Sequence, residues 1–159
     1  MRVGIGYDSH RFAPERRLVL GGVEIPSEQG LAGHSDADAV AHAVTDALLG
    51  AVGLGDIGTH FPPDDPQWRD ADSIALLRHA VRLLGERNYQ VVNVDVTVIA
   101  EAPRLAPHVQ AMRERLAAAL GIGTTHVSVK GKTNEGMGWI GRREGIAAVA
   151  VALVDAIEE

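Results

Sequence analysis

Ile146-Ala147-Ala148-Val149-Ala150-Val151-Ala152-Leu153-Val154-Asp155-Ala156-Ile157 decides the fold of this chain. Its alanines favour a helix. Val149, Val151 and Leu153 alternate along it, as side chains do on one face of a strand. We read a strand. The almost unbroken apolar run from Ile146 to Leu153 suits a strand buried on both faces.

Working outward from it, residues 89–100 form the clearest strand, with Val92, Val94, Val96 and Val98 alternating with Asn93, Asp95, Thr97 and Ile99. Residues 127–132 read as another strand. Residues 2–7 read as a first strand, with Val3, Ile5 and Tyr7 on one face. Residues 17–20 and 23–25 flank Gly21-Gly22 and suggest a hairpin. Between these lie three helical patterns. Residues 35–51 carry an apolar stripe of Val40, Val44, Ala47, Leu48 and Ala51, with Ser35, Asp36 or Asp38 as caps. Residues 73–87 place Ile74, Leu77, Val81 and Leu84 toward a core, and residues 107–120 do so with Val109, Met112 and Leu116. Residues 53–66, rich in Gly, Asp and Pro, read as a loop. Strands and helices interleave irregularly, so the expected fold is α+β with a mixed sheet. A length of 159 residues suits one domain spanning 1–159.

Composition narrows the chemistry. With no cysteine, disulfides, iron–sulfur clusters and thiolate-bound zinc are excluded, and a metal must use His, Asp or Glu. The formal net charge is −6 and no dense basic cluster occurs, which argues against nucleic acid as a partner. No apolar run is long enough to cross a bilayer, and Met1 to Asp8 lacks the apolar core of a signal peptide, so a cytoplasmic protein is expected.

Asp8 and His10 are two apart on an extended segment and point to the same side. His42, on a helical pattern, can close the set from another element. One carboxylate and two imidazoles suit zinc with an open fourth position; the plainer alternative is a turn aspartate and a surface histidine. Asp46, one helical turn after His42, can orient a metal ligand, or cap or pair elsewhere. Ser35 and the amides that open the same helix can bind an anion. The loop acids Asp56, Asp64 and Asp65 can accept hydrogen bonds from sugar hydroxyls, or simply be solvated. Lys130-Gly131-Lys132-Thr133-Asn134-Glu135-Gly136 follows a strand and suits phosphate oxygens with a Mg²⁺ at Glu135, or is a polar turn.

Taken in order, Gly6 to Phe12, His34 to Asp38, His42 to Gly50, Gly55 to Gly58, Phe61-Pro62, Ala100 to Pro103, Lys130 to Glu135 and Gly141 to Gly145 resemble the 2-C-methyl-D-erythritol 2,4-cyclodiphosphate synthase family along essentially the whole chain. The resemblance implies a homotrimer with sheets facing its three-fold axis, helices on the outer face and active sites at subunit boundaries. It implies zinc on Asp8, His10 and His42, one ion per chain. It implies a methylerythritol phosphate pocket from Asp8, Ser9, His10, His34, Ser35, Asp56, Ile57, Gly58, Phe61, Pro62, Pro63, Asp64 and Asp65. Ala100, Glu101, Ala102, Pro103, Arg104, Leu105 and Ala106 would cradle cytosine. Lys132, Thr133, Asn134 and Glu135 would meet the diphosphate, with Mg²⁺ or Mn²⁺ on Glu135, and Trp139 and Arg142 would line the trimer centre. His34 and Thr133 would be the transition-state donors. Trp139, Lys132 and Ala106 depart from the residues usual in that family. A zinc phosphohydrolase and a trimeric binding protein are the rival readings. The first would release inorganic phosphate, and the second would need a fourth protein ligand that the sequence does not offer.

Overall fold

The computed structural model describes residues 1–158. The chain opens with β1 (Arg2–Pro14), then a short hairpin of β2 (Leu18–Leu20) and β3 (Val23–Ile25), then β4 (Gln29–Leu31). Helix α1 (Ala39–Ala51) is followed by the one-turn α2 (Ile57–His60), by α3 (Ser73–Glu86) and by β5 (Tyr89–Ile99). Helix α4 (Val109–Leu120), β6 (Val127–Lys132), the short α5 (Gly138–Gly141) and β7 (Gly145–Ala156) complete it. Five strands form one sheet in the order β4-β1-β7-β5-β6. β5 and β6 run parallel, whereas β1 pairs antiparallel with β4 and β7, and β7 antiparallel with β5. The fold is therefore α+β with a mixed sheet, as expected, and the deciding segment is its central strand.

One face of the sheet carries the helices. Ala148, Ala150, Ala152 and Val154 of β7 point that way and are fully buried. On β1 the inward positions are Gly4 and Gly6, paired with Ala152 and Ala150. A Cβ there would lie 1.9 Å from the Ala47 carbonyl oxygen or 1.8 Å from that of Ala43, so these glycines let α1 lie directly on the strand. Helix α1 then packs against β1 and β7 below and α3 above, and its side chains are buried almost all round.

The other face is open. Val3, Ile5 and Tyr7 are 67%, 71% and 55% exposed, and Val151 beside Ile5 is 42% exposed. Within one chain β7 is covered along its helix face, whereas on the other face Ala147 is buried, Val149 and Leu153 are half-buried and Val151 is exposed.

Three smaller corrections have local causes. Helix α1 begins at Ala39, not Ser35, because the Asp38 side chain caps it by accepting from Ala41 N–H. The loop after α1 contains α2, capped in the same way by Asp56 on Thr59 N–H. On β5 the register slips between Val91 and Asn93 against β7. This bulge turns Val91 rather than Val92 into the core, while Val94, Val96 and Val98 stay inside.

Candidate metal centre and active site

Asp8 and His10 leave β1 on its helix-covered side, and His42 comes down from the first turns of α1 to meet them. One ligand atom from each lies within 4.8 Å of the others. His10 Nε2 is 2.7 Å from Asp8 Oδ2, His42 Nδ1 is 3.1 Å from the same oxygen, and the two ring nitrogens are 3.3 Å apart. Tetrahedral bonds of about 2.0–2.2 Å separate ligand atoms by roughly 3.3 Å, so small side-chain movements make room for a divalent ion. The donor set of one carboxylate and two imidazoles fits such an ion.

The ring orientations are fixed from behind. His10 Nδ1 donates to the Ala32 carbonyl at 2.8 Å, which leaves Nε2 facing the centre. His42 Nε2 points away from the centre, 2.7 Å from Ser73 Oγ and 3.1 Å from Ser35 Oγ. Burial alone would raise the Asp8 carboxyl, but hydrogen bonds from His10 and His42 and their charge outweigh it and bring it down to about 2. Burial works against the charged form of His10, yet the hydrogen bond and charge of Asp8 hold it above its ordinary 6.5.

Around this centre lies a cavity of about 220 Å³ lined by Asp8, His10, His34, Ser35, His42, Ile57, Gly58, Phe61, Pro63, Trp68 and Leu76. Of the pocket expected from the sequence, Asp56, Pro62, Asp64 and Asp65 stay in the same loop but do not line it. Asp56 and Asp65 are occupied as caps: Asp56 accepts from the Thr59 N–H and hydroxyl, and Asp65 from the Gln67 backbone and side chain. The Thr59 contacts hold Asp56 below its ordinary value. Asp46 does not reach the metal ligands. Its Oδ1 accepts from Ile57 N–H at 2.7 Å and so anchors the loop, and burial raises its carboxyl.

At the start of α1, where the sequence suggested an anion site, the Ala41 N–H is taken by a side chain of the protein itself. That side chain is Asp38, which accepts from Ala41, Gly21 and Gly22 N–H and ties the hairpin to the helix. Burial pushes its carboxyl up to about 6 against those donors. Ser35 instead accepts from Ala37 N–H, and Arg16 donates to the Ser35 carbonyl at 2.8 Å, so the loop carrying His34 and Ser35 is braced from outside. His34 Nε2 donates to the Asp65 carbonyl at 3.2 Å.

A second cavity, about 320 Å³, is lined by Ala100, Glu101, Pro103, Arg104, Leu105, Ala106, Val109, Gly131, Lys132 and Thr133. It shares no lining residue with the first. The Glu101 carboxylate is turned to the backbone of the next loop, accepting from Asn134 and Gly136 N–H at 2.9 and 3.1 Å. That clamp shapes the turn in which Glu135 adopts φ 53°. Asn134 and Glu135 line neither cavity. Lys130, one of the two cations noted in the sequence, is spent on Asp95 at 2.7 Å on the open face. Ser9 and Trp139 border a wider cleft with Phe12, Gln29 and Arg143, Ala102 lies beside the same Phe12, Gln29 and Arg143, and Arg142 forks onto Glu144.

Sequence reading missed Ser73, Trp68 and Leu76. Ser73 reads as the first residue of a helix, and nothing in its neighbours links it to His42, 31 residues earlier. Trp68 and Leu76 come from the segment that folds back over the cavity, with the Trp68 and Phe61 rings edge to face at 4.9 Å.

Residues 1–155 match the model of the YgbB family. The chain belongs to that family. Among its relatives, the 2-C-methyl-D-erythritol 2,4-cyclodiphosphate synthase of Symbiobacterium thermophilum is 62% identical over 154 residues, covering 97% of this chain and 98% of that one. The enzyme of the same name from Dechloromonas aromatica is 60% identical and covers 98% of both chains. A solved 2C-methyl-D-erythritol-2,4-cyclodiphosphate synthase in its CDP-bound form superposes with a TM-score of 0.89 at 40% identity, covering 97% of this chain and 100% of that one. No described helix of this YgbB family member is long and apolar enough to cross a membrane.

Proposed function

We propose that this chain converts 4-diphosphocytidyl-2-C-methyl-D-erythritol 2-phosphate into 2-C-methyl-D-erythritol 2,4-cyclodiphosphate and CMP. It acts in the non-mevalonate route to isoprenoid precursors, in the cytoplasm, as a single domain spanning 1–159. The observation that carries the reading is the convergence of Asp8, His10 and His42 with His34, Ser35, Ile57, Gly58 and Phe61 in one cavity of a YgbB family chain.

The nucleophile is an oxygen of the substrate's own 2-phosphate, mostly ionised near pH 7 because its second pKa is about 6. It bonds to the β-phosphorus of the cytidine diphosphate. The bond from that phosphorus to the oxygen shared with CMP breaks, and CMP leaves with the electron pair. No general base is required. The protein has to hold two anions together and fold a flexible chain into a ring, and positioning of this kind supplies up to roughly 7–11 kcal/mol.

Each cavity takes one end of the substrate. Ser35, the Ile57-Gly58 backbone and Phe61 hold the methylerythritol phosphate, and His34 becomes a donor when substrate replaces its bond to Asp65. Ala100 to Ala106 cradle cytosine, and Lys132 and Thr133 meet the diphosphate, with Thr133 as the second transition-state donor. Asp8, His10 and His42 would hold a divalent ion, zinc in this reading, and Glu135 a Mg²⁺ or Mn²⁺, which would supply neutralisation of phosphate charge.

Because the two cavities share no residue in one chain, the working site is assembled between subunits of a homotrimer whose open apolar sheet faces meet around the axis. The apolar side chains of that face support this, since such a surface is unusual on a monomer.

The test is to incubate the purified protein with the cytidylyl substrate in ¹⁸O-labelled water. The expected products are the cyclic diphosphate and CMP, both free of label from solvent. Inorganic phosphate, or ¹⁸O in the newly formed phosphates, would make the protein a hydrolase and overturn the reading.

A further inference from the structure

We propose that Arg16 is a positioning residue for the reaction. Its guanidinium takes alternate carbonyls of the loop that carries His34 and Ser35, and so fixes where those two side chains stand in the substrate cavity. The inference rests on the reading of that cavity as the seat of the methylerythritol phosphate.

Residues 32–38 belong to no helix or strand, so their backbone must be fixed by other partners. The carbonyls at the start of this loop are accounted for one by one. Leu31 is the last residue of β4, an edge strand of the sheet. Its carbonyl accepts from Arg16 Nε at 2.9 Å, and Arg16 Nη2 donates to the carbonyls of Ser35 at 2.8 Å and Gly33 at 3.3 Å. The carbonyls between them have other partners: Ala32 accepts from His10 Nδ1 at 2.8 Å, and His34 from Asp70 N–H at 2.8 Å. One side chain thus stands where a neighbouring strand would be. A planar, permanently charged fork suits three carbonyls in a row, which the point charge of a lysine does not.

The local sequence brings the fork to this place. Arg16 follows β1 across a turn in which Glu15 adopts φ 59°. The backbone of β4 lies directly on that turn: a Cβ on Gly30 would fall 2.4 Å from the Arg16 carbonyl oxygen and 2.3 Å from that of Arg17. With no side chain at Gly30 the two backbones touch, and Arg16 reaches past β4 as far as residue 35. Arg16 and Ser35 line one cleft of about 280 Å³, and Ser35 also lines the substrate cavity, which Arg16 does not. Arg16 therefore works from behind the wall, through the loop and not on the substrate.

The test uses the full-length protein and its two expected products as probes, the cyclic diphosphate for the first cavity and CMP for the second. Arg16→Ala should lose about 10- to 100-fold in kcat/KM, the upper figure being the loss that a misplacement near 1 Å produces. Calorimetry should show the cyclic diphosphate bound several-fold more weakly and CMP bound as in the wild type. Arg16→Lys keeps the charge and loses the fork, and should stay close to Arg16→Ala. Amide hydrogen exchange in both variants should quicken at Asp36 and Ala37, which are held by the Ala71 carbonyl and Ser35 Oγ, and stay unchanged in the middle of α1. Wild-type kcat/KM in Arg16→Ala overturns the inference, and so does full turnover in Arg16→Lys, since charge alone would then suffice. Equal weakening of both products, with exchange quickened throughout the chain, also overturns it, because that is a loss of stability and not of placement. A wild-type protein that forms no cyclic diphosphate would sink the proposed function instead. Exchange at Asp36 and Ala37 would still decide the role of Arg16, and unchanged exchange there would remove it.

Discussion

Asp8 and His10 hold each other in charged form. With Nδ1 of His10 donating to Ala32, the 2.7 Å contact between Nε2 and Asp8 requires a second proton on the ring, so the metal-free pair is an imidazolium on a carboxylate. The consequences for pH have definite signs. The His10 value is raised on folding, so its contribution is fully present below 6.5 and is lost as pH rises through the folded value above that. The Asp8 value is lowered to about 2, so its contribution is present above 3.8 and is lost as pH falls toward 2. A metal needs the His10 proton gone. Melting curves taken with a chelator should therefore show the centre's contribution declining as pH rises above 6.5. The extra stability given by Zn²⁺ should grow over the same range, with net proton release on binding. Zn²⁺ stabilisation that stays flat between about pH 5.5 and 8 would place the ion elsewhere. His42→Ala should lose the ion and keep the fold, because the α1 face around it is apolar and well packed.

At the scale of elements, the glycines of β1 carry more of the fold than its large side chains. Alternation put Val3, Ile5 and Tyr7 on one face, which is correct, but that face looks outward and the packed one is Gly4 and Gly6. Gly6→Ala should lower stability by at least about 3 kcal/mol, the upper range for overpacking, because its Cβ would collide with the backbone of α1. A urea midpoint equal to wild type would mean α1 does not lie where it is placed. The strands and helices of the main sheet were legible because their period is long and regular; β7 was read rightly from three alternating residues within a row of alanines. β4 was not legible, being three residues with a central glycine and no pattern to show. The bulge at Val91-Val92 was hidden because two adjacent valines look the same whichever one is inside. At the site, residues close in sequence were found as groups: Asp8 with His10, and the 100–106 run, Ala102 apart, which lines one cavity with Lys132 and Thr133. Contacts made only by folding back, such as Ser73 on His42 and Glu101 on the turn at Asn134, carry no local signal. Asp38 was legible as a cap, but Asp46 and Asp56 look alike as helix or loop carboxylates, and only the structure shows that each holds backbone.

For the molecule as a whole, the unresolved demand is the open sheet face. Burying a Val, Ile or similar side chain is worth about 1.5–3 kcal/mol, so Val3, Ile5, Tyr7 and Val151 together favour self-association. Light scattering should give three times the chain mass of 16.8 kDa, and Ile5→Lys should move the distribution toward monomer. The stronger prediction joins assembly to chemistry. If each site takes Asp8, His10 and His42 from one subunit and Lys132 to Glu135 from its neighbour, two inactive variants can rescue each other. His42→Ala damages only the first half and Glu135→Gln only the second. In mixed trimers a site is intact when its first half comes from a Glu135→Gln chain and its second from a His42→Ala chain. Equal co-expression with random assembly makes about a quarter of the sites intact, since each half has an even chance of being the right one. Selection by two tags keeps only mixed trimers, in which one site of three is intact, so these should show roughly a third of wild-type turnover, while each variant alone stays near background. If both halves came from the same chain, every site in the mixture would keep one damaged half. Turnover fixed at background in verified mixed trimers would therefore show that the two cavities of one chain serve a single site, and would remove the reason for placing the active site between subunits.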